Sequence, residues 1–245
     1  MKHAGKAIQL FGVLALTTLT SAQSAEQIVP GSRPAAVIAA AFDGMGAGFT
    51  GPQGAAVLRN PSDNSLAVGP NHIVQTVNSR MAIFTKRGRH FSDTGRALYG
   101  PVNTNNVFRN FGGTCEARNN GDAVVRYDQI AKRWLIVMPI FTRAAERPDQ
   151  PPIWTARPQA YDSPPGRANQ SGPYSICYAI STSDDPLGAY YRYEFLRPLF
   201  PDYPRPAIWP DGYYVPSSTG DEVIQKHACI VERDAMLQGR PARRT

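Results

Sequence analysis

Leu66-Ala67-Val68-Gly69-Pro70-Asn71-His72-Ile73-Val74 decides the fold class, because its pattern returns 140 positions later as Pro206-Ala207-Ile208-Trp209-Pro210-Asp211-Gly212-Tyr213-Tyr214. In each copy a short β-forming run reaches a proline, then Asn or Asp, and two β-formers resume. Proline presets φ for the turn, and the Asn or Asp side chain closes it on the backbone. A third set lies between them, with Ala123-Val124-Val125 in the equivalent place. Short antiparallel strands repeating at about 40–50 residues plus loops mark β-propeller blades. The expected fold is therefore all-β, a partial β-propeller of three to four blades. A β-sandwich, which also spaces strands and turns regularly, is the alternative.

Outward from these turns the strands are readable. Ser65–Val68, His72–Asn78 and Met81–Thr85 form one set. Ala123–Tyr127 pairs with Arg133–Phe141, which puts Trp134, Ile136 and Met138 on one face and Leu135, Val137 and Pro139 on the other. A strand apolar on both faces lies between two layers. Tyr174–Ser181 and Ala189–Leu196 make a hairpin around Asp184-Asp185-Pro186-Leu187-Gly188, and Pro206–Trp209, Tyr213–Val215 and Ala228–Glu232 complete a third set. Residues 99–121, rich in Asn and Gly, read as loop. Residues 142–173 hold seven prolines and no periodicity, which suits a surface excursion or lid.

The first twenty-five residues have the grammar of a secretory signal peptide: Lys2 and Lys6, an apolar run from Ala7 to Leu16, then small residues to Ala25. The apolar run is too short for a bilayer core of about 30 Å, and no later stretch approaches transmembrane length. The reading divides the chain into a signal at 1–25, a flexible Gly/Ala-rich lead-in at 26–59, a propeller-like domain at 60–237 and a basic tail at 238–245. The location expected is secreted or periplasmic. Gly46-Ala47-Gly48-Phe49-Thr50-Gly51 satisfies a dinucleotide-binding string, but Pro52 and Gly54 follow at once where a helix would have to open, so no cofactor is expected. A formal charge of +7 is scattered along the chain without a basic stripe among aromatics, which argues against nucleic acid. The charge leaves room for an acidic polysaccharide or a cell surface.

The segments SLAVGPNHIVQTVNSRMAIF, GDAVVRYDQIAKRW, CYAISTSDDPLGAYYRYEF and FPDYPRPAIWPDGYYV, across about residues 60–237, resemble a group of bacterial exported β-propeller-like proteins of unassigned function. Such proteins usually carry further blades, so the resemblance implies a shortened member whose ring is not closed. A truncated gene product without activity is one reading of that. The turn Ser183–Tyr190 is also similar to the Asp-containing turns of sialidase-like and arabinanase-like propellers. That likeness implies a structural staple, with Asp185 closing the turn and Tyr190 packing between strands.

Nucleophile-elbow, zincin and phosphate-loop motifs are all missing from the sequence. Catalytic candidates are Asp63, Asp122 and Asp211, which recur near strand entrances and could converge at one mouth of a channel, and His72, which opens a strand after a turn. Repetition also fits a turn-closing role for each. Asp63, Asn64, Asn119, Asn120 and Asp122 lack calcium-loop spacing, and the histidines lack metal-ligand spacing, so no metal is assigned. Tyr191, Trp209 and Tyr213 are binding candidates from an aromatic-rich last third, where inter-blade packing explains the residues equally well. Cys115 lies just before the Asp122 strand and Cys177 within the same set, so these two are expected to pair and leave Cys229 free. Three functions follow: a non-catalytic exported binding or surface module for a glycan or cell-surface ligand, a carbohydrate-active hydrolase or lyase using channel carboxylates, or the inactive truncation. With three repeats, blade faces built from Val68, Ile73, Trp134, Ile136, Ile208 and Tyr213 would need a homo-oligomer to cover them.

Overall fold

The computed structural model describes residues 31, 37–57, 61–143, 170–218 and 227–245. The signal segment 1–25 and most of the Pro-rich insertion fall outside them. The chain divides into Met1–Ile38 and Ala39–Thr245, and the architecture below is that of the second unit. A two-stranded ribbon, β1 (Thr50–Gly51) and β2 (Gly54–Ala55), precedes three antiparallel meanders. The first sheet is β3 (Asn64–Val68), β4 (His72–Val77), β5 (Arg80–Thr85) and β6 (Ala97–Asn103). A 3-10 turn at Thr104–Phe108 and helix α1 (Gly113–Ala117) lead to the second sheet. That sheet comprises β7 (Val124–Asp128), β8 (Arg133–Arg143), β9 (Gln170–Ser181) and β10 (Tyr190–Arg197). The third holds β11 (Ala207–Trp209), β12 (Gly212–Ser217) and β13 (His227–Val231), followed by helix α2 (Arg233–Leu237). Each sheet keeps chain order across its strands and none closes on itself. This is the all-β arrangement expected, built of open antiparallel sheets.

Side-chain alternation explains the stacking. On β8 and β9, Trp134, Ile136, Met138, Cys177 and Ala179 meet Val74, Met81 and Ile83 of the first sheet. The opposite set, Leu135, Val137, Ile176, Tyr178 and Ile180, meets Tyr213, Val215 and Val231 of the third. The second sheet is therefore apolar on both faces because it is the middle layer. The other face of the first sheet, Ile73, Val77, Ala82 and Phe84, is covered by Phe42, Met45 and Phe49. This part of the lead-in is thus a packed layer, and its aromatic residues are the reason. The tail is docked too: Ile230 and Thr245 exchange backbone hydrogen bonds of 2.9 and 3.0 Å, which lays the last residues along β13.

Most of the apolar faces expected to be open are closed by this stack. Ile73, Trp134, Ile136 and Tyr213 are buried, whereas Val68 remains 45% exposed. The first strands of the three sheets lie together and are tied by polar side chains. Ser65 Oγ donates to Val125 O and accepts from Val125 N, and Thr76 Oγ1 donates to Ala123 O at 2.7 Å. Arg126 donates to Ser65 Oγ and to Pro206 O, reaching both neighbouring sheets. Strand β6 and α1 lie where a loop was expected. Gly100-Pro101 reads as a breaker, yet β6 is an edge strand, where a proline costs no ladder bond. Gly100 has a φ of 99°, and a Cβ there would sit 2.5 Å from Met81 O.

Candidate functional site

Two residues in left-handed backbone open the first strands of the first two sheets: Asp63 (φ 35°) and Asp122 (φ 52°). Asp is among the few residues that tolerate this conformation, and the turn brings both carboxyls to one end of the stack. Asp202, just ahead of β11, joins them; its backbone pairs with Ser218 in a two-way bridge of 3.1 and 2.9 Å. Burial pushes the Asp122 carboxyl up to about 7, reinforced by the charge of Asp63 and Asp202 and by hydrogen bonds to both. Like charges this close cannot all ionise, so the group retains a proton near neutrality. Asn78 Nδ2 donates to Asp63 Oδ2 at 3.2 Å and to Pro61 O at 2.9 Å, which completes the rim. Gly121 must be glycine here, because its φ is 105° and a Cβ would meet Asn78 Oδ1 at 2.6 Å.

Asp211 does not join the cluster. It lies in the β11–β12 hairpin, where it accepts from Tyr214 Oη at 3.0 Å. The sequence echo aligned Asp211 with Asn71, which follows a first strand, whereas Asp63 and Asp122 precede theirs. The true counterpart, Asp202, sits in Phe200-Pro201-Asp202-Tyr203-Pro204, and position relative to the strand would have found it. Asn119 Nδ2 donates to Ser79 O at 2.9 Å, which ties the lead into the second sheet to the first sheet, and Asn120 Oδ1 accepts from Phe141 N at 3.1 Å, which holds the loop ahead of β7 against β8. Among the described residues no group of three or more His, Cys, Asp or Glu side chains is placed to hold a metal ion.

His72 is buried at the head of β4, its Nε2 3.9 Å from Asp185 Oδ1 and its ring edge-on to Phe91. Burial holds its pKa below the ordinary value, against the pull of Asp185. It therefore serves as a contact between the first two sheets. Asp185 Oδ1 accepts from Leu187 N at 2.9 Å, the turn-closing role expected of it, while Tyr190 packs against the core between the first two sheets and donates Oη to Pro186 O at 2.8 Å. Tyr213 is a core residue, fully buried and donating to Asp128 Oδ2 at 2.9 Å, so it offers no binding surface. The same carboxylate takes Arg233 Nε at 2.7 Å, which pins α2 to the second sheet. Tyr191 packs against Gly239, and Trp209 is 64% exposed at the hairpin end. Cys115 and Cys177 form a disulfide with Cα atoms 5.8 Å apart, and Cys229 is free.

A cleft of about 430 Å³ opens between the first and second sheets. Met81 and Ile83 supply an apolar floor, and Tyr99, Asn106, Tyr190 and Arg192 bring rings and polar groups to its wall. Asn106 donates to Tyr99 Oη and accepts from Arg109 at 2.9 Å, while Arg192 donates to Arg109 O at 2.6 Å and lies over the Phe111 ring. These bonds fix the orientation of the polar groups in the wall. Comparison of the chain with protein families, curated proteins and solved structures returns no match. No described helix is long and apolar enough to cross a membrane.

Proposed function

We propose that the protein is an exported, non-catalytic binding module that takes a glycan in the cleft between its first two sheets. The observation that carries this reading is the cleft itself. Its size falls within the roughly 300–1,000 Å³ of ligand sites. Its wall combines the aromatic faces of Tyr99 and Tyr190 with the oriented amide of Asn106 and the guanidinium of Arg192. Sugar rings present the matching chemistry, an apolar C–H face edged by hydroxyls. The carboxylate cluster supports the non-catalytic side. Its acids touch through hydrogen bonds, whereas glycosidase carboxylates stand about 5–9.5 Å apart to admit the sugar or a water.

One observation favours a second reading, a carbohydrate-active hydrolase. A carboxyl titrating at about 7 beside charged carboxylates is the equipment of a general acid. A glycan array run with a matched sugar-release assay separates the two. Binding without release, lost on Tyr99→Ala or Arg192→Ala, is the result expected of the module. Release abolished by Asp122→Asn with binding retained would replace it with the hydrolase, and no binding to any glycan would remove both.

A further inference from the structure

We propose that Cys229 is a site of oxidation by small peroxides, its sulfur held between two guanidinium groups at the outer edge of the second and third sheets. Cys229 and His227 are two residues apart on β13, so their side chains share the face turned toward the second sheet. There Arg197, the last residue of β10, donates to the sulfur through one terminal nitrogen and contacts His227 Nδ1 at 2.9 Å through the other. Arg244, in the strand-like tail, brings a third nitrogen within 3.9 Å of the same sulfur. A guanidinium carries only donors, so His227 Nδ1 must accept, and the imidazole is neutral with its proton on Nε2. Burial and the two arginines hold the pKa of His227 below its ordinary value, in agreement with that geometry.

Donors exceed acceptors at this position. Neither arginine forms an ion pair with a described carboxylate. Arg197 is 7% exposed, and among the described residues its Nε has no partner, nor has the fully buried Tyr178 hydroxyl on β9. Tyr178 packs against Val215 and Val231, and Val215 is the cross-strand partner of Cys229, so the phenol lies beside the same group; burial raises its pKa far above the ordinary value. An unsatisfied buried donor costs about 1–3 kcal/mol, so two together call for an acceptor that the resting site lacks.

In the proposed step a sulfur lone pair attacks the distal oxygen of the peroxide. The S–O bond forms as the O–O bond breaks, and the thiol proton passes to the departing oxygen, which leaves as water or an alcohol. Sulfur is oxidised to the sulfenic acid and the peroxide is reduced, so no further reagent is required. Negative charge grows on the leaving oxygen, where Arg197 Nε–H and Tyr178 O–H are the unspent donors. Cys229 is half-buried beneath its arginines, which restricts the oxidant to small peroxides. The other two cysteines are joined to each other, so the sulfenic acid waits for an external thiol.

The test exposes the full chain to hydrogen peroxide, traps sulfenic acid with dimedone and reads the Cys229 adduct by mass spectrometry against a peptide of residues 225–233. Oxidation at least about tenfold faster than in the peptide is expected, with a loss of about tenfold in Arg197→Met and a smaller loss in Arg244→Met. Because Arg197→Met removes a buried side chain, Tyr178→Phe serves as the second variant; it deletes only the hydroxyl and should slow oxidation with its melting curve preserved. Native Cys229 reacting no faster than the peptide overturns the proposal, as does an unchanged rate in Arg244→Met and Tyr178→Phe.

Discussion

At the scale of single residues, the proton on Asp122 makes stability depend on pH. A carboxyl raised from 3.8 to about 7 by folding binds more protons in the folded than in the unfolded state between those values. Its contribution is therefore whole below about pH 4, is lost progressively as pH rises toward 7, and does not change further above that. The full shift would correspond to about 4 kcal/mol, and solvent screening of a partly exposed group lowers this to on the order of 2 kcal/mol. Asp122→Asn keeps the shape and removes the titration, so its stability relative to wild type should improve by that amount between pH 4 and pH 8. Urea denaturation at both pH values measures the difference, and an equal gap at the two would refute the shared proton. The pair Asp63 and Asp122 was legible because aspartate before a β-run signals a turn in left-handed backbone. Asp202 was passed over for Asp211, because Pro201, Pro204 and Pro206 hide the approach to β11 and the turn echo drew the alignment to the strand's far end. A second residue-scale case is Arg233, whose guanidinium meets the buried Asp128 carboxylate with Nε 2.7 Å from Oδ2. Arg233→Met should destabilise by about 3–5 kcal/mol, since it strands a buried charge. A loss below about 1 kcal/mol in chemical denaturation would show that water reaches Asp128.

At the scale of elements, the turns and central strands were readable and the edges were not. β8 declared itself by the run Trp134–Pro139, apolar on both faces, and the β9–β10 turn by Asp185 and Gly188. β6 was hidden by Gly100-Pro101, because only tertiary position reveals that an edge strand can carry them. The lead-in was misread for the opposite reason. Its glycines suggested a linker, while Phe42, tilted against Phe84, and Phe49, edge-on to the same ring, do the packing. The same scale contains the disulfide, which fixes α1 to β9 across 62 residues of sequence. By the chain-entropy argument a loop of that length contributes about 4 kcal/mol. The double variant Cys115→Ser/Cys177→Ser should lose about that much, with the β circular dichroism retained at low temperature. Non-reducing peptide mapping should return the Cys115–Cys177 pair with Cys229 alkylated. Finding all three thiols alkylated after expression in an oxidising compartment would refute the pairing.

At the scale of the molecule, what remains open among the described residues is the outer face of the third sheet and one side of β3. The sheet register places Ala207, Trp209, Tyr214 and Ile230 on one face, away from Tyr213 and Val231. Trp209 is 64% and Ile230 39% exposed there, while Leu66 and Val68 are 49% and 45% exposed on β3. The interior faces that three isolated blades would leave wet are covered, so wholesale aggregation is not expected. The two remaining patches differ from each other, and a contact between unlike patches is head-to-tail, giving a ring where the rotation closes and a chain of copies where it does not. Wild-type protein should therefore show a concentration-dependent mass above one chain in light scattering coupled to size exclusion. Trp209→Ser/Ile230→Ser should return it to a single chain without lowering its melting temperature, because neither side chain contributes to the core between the second and third sheets. A wild-type protein that stays at one chain at every concentration, and binds no apolar dye, would show that this face is tolerated in water and that the stack of three sheets is complete in itself.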